Sequence, residues 1–510
     1  MRKLTYWILC IGLIFLLKAC GASEYEYIPN YIEYETETNE TEVEADHEPE
    51  EEPEPLVEPD YTKEEYFPEP EHEVVTLSYD FSISIELAAH FFAQTQAIWD
   101  ADDGDLWGVP LHMPLIFADS LTRHAVANVP DTRGVLQPYG GVYVGILPAT
   151  VHIGATAIDW GGLSWGIMPW EWVEEDLGNE TDVLRILVHE GFHALQDQVV
   201  HGPWVGNVPT HMICADNRIS VLMELNALLE ALRTDGDVRI AAITDAISIR
   251  AARRERYPDE IMNENTLEMG EGLAVFTDLI LIRSAEERLE SLEDFVGSFY
   301  NADISLFGYA SGALYGLLLH DSGAEWRYGL TYGTDLGYLL QQAMGITRLL
   351  LLDEIDLYRY DYARLAPLQQ AWVDNFIRVR DEGIEIMRTL PTVTLRGDWF
   401  IDWYITEYEL GEALVADNFL LPPDASGWEG MVFYGVFVVY GTNYRLALTH
   451  GYFEMVHNPS GIRIGGAVDL EIDPDGRSAL APTWLLEITD ENYMLEATDR
   501  ANQPLRIVSR

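Results

Sequence analysis

His189-Glu190-Gly191-Phe192-His193 lies inside an apolar run that recurs at helical spacing through Val183, Leu184, Leu187, Val188, Ala194 and Leu195. A buried helix can hold a Glu between two imidazoles only if the rest of the fold supplies partners for them. No other feature of the chain constrains its architecture as tightly. Residues i and i+4 share a helix face, so His189 and His193 project side by side. Two neutral imidazoles placed this way can fill two corners of a zinc tetrahedron, and Glu190 between them can act on a water held there. The spacing predicts one helix over residues 181–199. Asn179 or Thr181 is its expected cap, and Asp182 is favourable in its first turn. The bland alternative, two ordinary histidines around a chance Glu, leaves a buried carboxylate without a reason.

The N-terminal segment sets the context. Arg2 and Lys3 precede a mostly apolar stretch over 4–17, too short to favour a permanent span, which ends Leu17-Lys18-Ala19-Cys20-Gly21. This resembles a bacterial lipoprotein signal. The resemblance implies that Cys20 is acylated and becomes the mature N-terminus, on the outer face of the membrane. A retained single-helix anchor is the alternative, and it places the rest of the chain on the same side. From Gly21 to Glu73 there are 21 acids against one base, Lys63, with Glu-Pro pairs recurring. Such a stretch cannot bury enough apolar surface to fold. Residues 21–75 are therefore expected to be a disordered spacer that lifts a globular body off the membrane.

Taking the tail (−20) and the signal (+3) from the net charge of −56 leaves −39 on the body. That charge repels phosphates, so no nucleic-acid partner is expected, and membrane contact is expected only through the anchor. A monomer is the expected state. No lysine follows Lys63, which excludes a P-loop lysine, a pyridoxal phosphate Schiff base and a kinase lysine. Cys214 is the body's single cysteine. A disulfide within the body and a Cys-rich zinc site are thereby excluded, and Cys214 reads as a small buried residue rather than a thiol nucleophile.

The pattern predicts an α+β fold. A helix over 83–99 precedes strands at 115–118, 142–147 and 151–158, which form a small sheet ahead of the motif helix. Residues 100–105 (Asp-Ala-Asp-Asp-Gly-Asp) read as an acidic turn capping the first helix rather than as a calcium loop. Further helices are expected at 218–233, 238–256, 260–282, 286–300, 309–320, 336–344 and 365–388. After Pro391 the texture turns β-rich, with strands at 432–440, 445–448, 465–472 and 484–488. The expected organisation is a helical domain over 76–390 with its small N-terminal sheet, followed by a smaller β domain over 391–510. Residues 201–214 have the Gly-Pro texture of a loop.

Zinc needs a third protein ligand and an open position. Continuation of the motif as H-x-x-G-x-x-H is closed, because Gln196 and Val199 stand at the required positions. A carboxylate from a later helix remains. Glu271 is the first choice, Glu268 one turn earlier the second, and Glu224 the third. For each, the alternative is a solvated helix face or a hydrogen bond to a ligand imidazole.

His189-Glu190-x-x-His193 followed by Glu271-Gly272-Leu273-Ala274 resembles the gluzincins, zinc metallopeptidases whose third ligand is a downstream Glu. Tyr309-Ala310-Ser311-Gly312-Ala313 is similar to the Y-x-x-G-A run of their aminopeptidase-N-type branch, which implies that the Tyr309 hydroxyl stabilises an oxyanion. His193-Ala194-x-x-Asp197 is similar to the thermolysin-type helix, which implies that Asp197 is a carboxylate supporting a ligand. The interval from His193 to Glu271 is longer than in either branch, and no G-A-M-E-N-like strand precedes the motif. The implied activity is hydrolysis of a peptide or protein substrate by one zinc ion, with Glu190 as general base. The competing expectation is a non-catalytic surface protein on a degenerate peptidase scaffold.

Overall fold

The computed structural model describes residues 81–509, apart from short internal stretches of which 403–418 and 422–431 are the longest. The export signal, Cys20 and the acidic spacer lie outside the described residues. Helix α1 (Ile85–Asp102) begins at Ser84, whose hydroxyl accepts the Leu87 N–H, and ends at Asp103 in the left-handed region. The acidic turn after it is satisfied locally: the Asp102 carboxylate accepts the Leu106 N–H at 3.1 Å.

Six strands then form one sheet: β1 (Leu115–Ala118), β2 (His124–Ala127), β3 (Gln137–Tyr139), β4 (Val142–Ile146), β5 (Thr156–Trp160) and β6 (Leu163–Pro169). Their order is β3-β4-β2-β1-β6-β5, antiparallel except for β1 beside β6. Alternation divides the faces. Ile116, Ala125, Trp165 and Ile167 join one apolar cluster, while Leu115, Phe117, Val126 and Met168 join the main core with the helices. The strand expected over 151–158 lies instead at Thr156–Trp160. Strands β2, β3 and β6 carried no clear alternation, β6 because most of its residues are buried.

Helix α2 (Trp170–Glu175) leads into α3 (Glu180–Leu195), which carries the motif. Asn179 stands at its cap, but the side-chain amide turns to the Asp182 carboxylate instead of capping a backbone group. Two glycines let α3 settle closely. A Cβ at Gly166 would lie 2.8 Å from the Glu190 carbonyl carbon, and one at Gly191 would lie 2.8 Å from the Trp99 ring.

The helical body follows: α4 (Ala215–Arg233), α5 (Gly236–Arg256), α6 (Ile261–Leu267), a π-turn (Glu268–Gly272), α7 (Leu273–Ile282), α8 (Ala285–Ser298), α9 (Phe307–Asp321), α10 (Leu336–Ala343) and α11 (Tyr362–Thr389). The helix expected over 260–282 is thus interrupted by an i→i+5 turn. Helix α9 presses against that turn at Gly312, and against Leu267 of α6 and Phe276 of α7 at Gly308 and Gly316, the three glycines spaced one turn apart. A Cβ at Gly272 would lie 2.5 Å from Gly312 Cα, and one at Gly312 would lie 2.6 Å from the Glu268 carbonyl oxygen. Backbone meets backbone here.

Helices give way to strands after Thr389, where β9 (Val393–Arg396) begins. The strands through Ser509 gather a second apolar cluster around Leu395, Tyr444, Leu446, Leu448, Ile464, Trp484 and Leu486. The strand expected over 465–472 is divided. One strand ends at Ile464 and the next is Glu471–Ile472, with Gly466 at φ 70° between them. No helix among the described residues is long and apolar enough to cross a membrane.

The α9 crossing predicts that Gly312→Ala destabilises the body. Overpacking of this kind costs about 1–3 kcal/mol. Urea denaturation checks it, and an unchanged midpoint contradicts the close approach.

Candidate metal centre

Helix α3 brings His189 and His193 one turn apart, and the π-turn delivers Glu271 opposite them. The two Nε2 atoms are 3.1 Å apart. Glu271 Oε2 lies 3.3 Å from His193 Nε2 and 3.7 Å from His189 Nε2. These side chains are no more than 5% exposed. Donor atoms about 2.0–2.1 Å from a tetrahedral zinc stand roughly 3.3 Å from one another. The three separations bracket that edge length, and these three side chains form a group able to hold a metal ion.

The outer nitrogens fix which atoms face inward. Gln196 Nε2 donates to the carbonyls of Met269 and Gly270, both at 2.7 Å, so its Oε1 is the atom 2.9 Å from His193 Nδ1. An oxygen acceptor there selects the Nδ1–H tautomer and leaves Nε2 as the acceptor atom. On His189, Nδ1 faces Asp278 Oδ2 at 3.5 Å, and Arg185 Nε holds the other Asp278 oxygen at 2.7 Å. Two neutral rings oriented this way point lone pairs at each other and at a carboxylate. Besides the two imidazoles, the Tyr309 hydroxyl acts on the Glu271 carboxylate. The arrangement requires a positive charge at its centre.

A proton can supply that charge. Burial alone would lower the His189 pKa, but Asp278, Glu271 and Glu190 outweigh it and push it up to about 10. Burial would raise Glu271, yet His193 and His189 hold it down to about 2. A divalent cation would replace the proton and suits this donor set of two imidazoles and one carboxylate.

Glu190 is fully buried, and its charge acts on both His189 and Tyr309. The Tyr309 ring lies parallel to His189, centroids 6.4 Å apart, and its buried hydroxyl acts on the Glu271 carboxylate. Burial, and then the neighbouring Glu271, push its pKa well above the ordinary tyrosine value. Trp204, 40% exposed, borders this cluster: its ring fills the space where a Cβ of Gly270 would stand, and Tyr332 meets it at 5.4 Å. The strand pair β7 (Val200–His201) and β8 (Leu330–Thr331) holds the two segments together. Part of the loop expected over 201–214 therefore borders the site.

Four sequence expectations need correction. Asp197 is exposed on the 3-10 turn after α3, away from the imidazoles' hydrogen-bond partners. Asp278 and Gln196 stand beside the imidazoles instead. Glu268, expected on the same face as Glu271, points away into Arg250, because the π-turn spreads side chains further around the axis than an α-turn. Glu224 is engaged by Arg250 and Arg253. Cys214, expected to be buried, is half-buried. One signal for Asp278 was present: it is the single acid in the apolar run Leu273–Ile282, two turns beyond Glu271.

Loss of the carboxylate behind a ligand imidazole typically costs about 10–100-fold in metal affinity, so Asp278→Asn should weaken binding of a divalent cation by that order. Because His189 stays protonated up to about pH 10, metal binding near neutrality should release about one proton, and affinity should rise with pH. Calorimetry in buffers of differing ionisation enthalpy checks both. An affinity insensitive to pH and to Asp278→Asn contradicts the assigned geometry.

No protein-family model matches this chain, and neither do any of the curated proteins or solved structures compared with it. The reading of the centre stands on its own geometry.

Proposed function

We propose that the body is a zinc-dependent hydrolase acting on peptide bonds, a metallopeptidase of gluzincin type, tethered outside a bacterial membrane through acylated Cys20. One observation carries the reading: two imidazole acceptors and one carboxylate oxygen converge at tetrahedral spacing beside a fully buried Glu190. The gluzincin resemblance of the Glu271 and Tyr309 segments supports it.

When bound, zinc supplies a Lewis acid that polarises the scissile carbonyl and acidifies water towards neutrality. His189, His193 and Glu271 would hold it. Glu190, dry and beside them, accepts the proton of the attacking water at its carboxylate and returns it to the leaving amine. Tyr309, kept protonated by burial and by Glu271, donates its O–H to the oxyanion of the tetrahedral intermediate. Asp278 and Gln196 keep the two imidazoles turned inward. Trp204, backed by the buried Tyr332 ring, offers aromatic surface to the chain flanking the scissile bond.

The competing reading, a non-catalytic surface protein, draws no support from this geometry. A structural zinc site is closed by four protein ligands, whereas three donors converge among the described residues. Neither Glu190 nor Tyr309 would be needed beside a purely structural ion.

Glu190→Gln should retain stoichiometric zinc and lose turnover on a mixed peptide substrate. Tyr309→Phe should lower kcat by about 10²–10³-fold, the usual effect of removing one oxyanion donor. Metal analysis with peptide-cleavage assays on both variants reads the outcome. Wild-type turnover by Glu190→Gln excludes the mechanism.

A further inference from the structure

Beneath the metal centre lies a second buried ionic cluster. Arg250, Arg253 and Arg254 on α5 face Glu224, Glu264, Glu268 and Asp335. Arg250, 2% exposed, grips both oxygens of Glu268 at 2.6 and 2.5 Å and also reaches Glu224 at 3.1 Å and Asp335 at 3.2 Å. Helix α9 adds two hydroxyls: Ser311 donates to Glu268 at 2.6 Å, and Tyr315, one turn later, donates to Glu224 at 2.8 Å.

Glu268 opens the π-turn and Glu271 lies within it. Only Met269 and Gly270 separate them, and Gln196, which holds His193, takes both of their carbonyls. The turn is thus clamped on one side by the metal-bearing helix and on the other by Arg250 and Ser311. Relaxing it to α-helical register would turn Glu268 and Glu271 to one face. Either Arg250 would then lose its bidentate partner, or the imidazoles would lose their carboxylate. Leaving a buried charge without its partner is strongly destabilising, so the two ionic clusters hold the π-turn between them.

We propose that Arg250, Glu268 and Ser311 are positioning residues for the metal centre, acting through the π-turn to aim Glu271 at His189 and His193. The inference rests on the proposed metal site and adds a determinant of its affinity that touches none of the ligands.

Ser311→Ala and Tyr315→Phe test it as a pair. Each removes one hydroxyl donor from the same buried network, at Glu268 and at Glu224 respectively. Both should lower Tm. Only Ser311→Ala should weaken binding of Co(II) and zinc, by about three- to tenfold, below the range typical of direct partners of a ligand. Only Ser311→Ala should alter the visible d–d bands of the Co(II) form. Glu268→Gln, which keeps the shape of the side chain, should weaken binding further and serves if Ser311→Ala fails to fold. Equal affinities and superimposable spectra for the two hydroxyl variants, with Glu268→Gln also at wild-type affinity, overturn the positioning role while leaving the metal site intact. A wild-type protein that binds neither ion removes the metal site itself and the inference with it.

Discussion

Two imidazole nitrogens and a carboxylate oxygen held within 3.7 Å of one another, with almost no access to water, repel unless a cation sits among them. A dry interior screens that repulsion far less than water does. Much of the surrounding architecture answers to this constraint. The small sheet gives α3 a flat bed, and Gly166 and Gly191 let it settle there. Asp278 and Gln196 take the outer ring nitrogens, so the inner ones have one role. The glycine stripe of α9 brings Tyr309 beside His189.

The helical body contains two charged centres of different character. Around Arg250 the charges are opposite, hydrogen-bonded and nearly balanced, so that cluster is complete without a ligand. Around His189 two imidazole nitrogens and a carboxylate oxygen converge on one point, a donor set that could hold a metal ion. The π-turn joins them and lets two glutamates three residues apart serve separate purposes. Such turns are rare and recur at functional sites. Here the cause can be named: buried carboxylates on both sides of one helix, each with its own partner.

How far the sequence could be read follows from the range of the interactions. The motif helix was legible because its apolar period and its buried Glu are local signals. Glu271 could be ranked first because a Glu-Gly step on a later helix is also local. The π-turn was not legible, since nothing within residues 261–282 shows that Arg250 and His193 pull neighbouring carboxylates to different faces. The thermolysin-type resemblance points to Asp197, one turn after His193, but in the fold Asp197 is exposed. The true partner of His189, Asp278, comes from a helix more than eighty residues away. Strand β6 is not legible because burial on both faces erases alternation, whereas β1, bounded by turn residues, is legible at its observed limits. Arg250, Arg253 and Arg254 read as the end of a helix, and their role depends on carboxylates from three other segments.

The central claim is that one cation closes this cluster. X-ray absorption at the zinc edge, on the body loaded with one equivalent of zinc, tests it most directly. The account predicts a four- or five-coordinate ion with two imidazole nitrogens at about 2.0–2.1 Å and carboxylate and solvent oxygens at about 2.0–2.2 Å, with one imidazole lost in His193→Ala. A six-coordinate, oxygen-only spectrum, or one unchanged by His193→Ala, would contradict it.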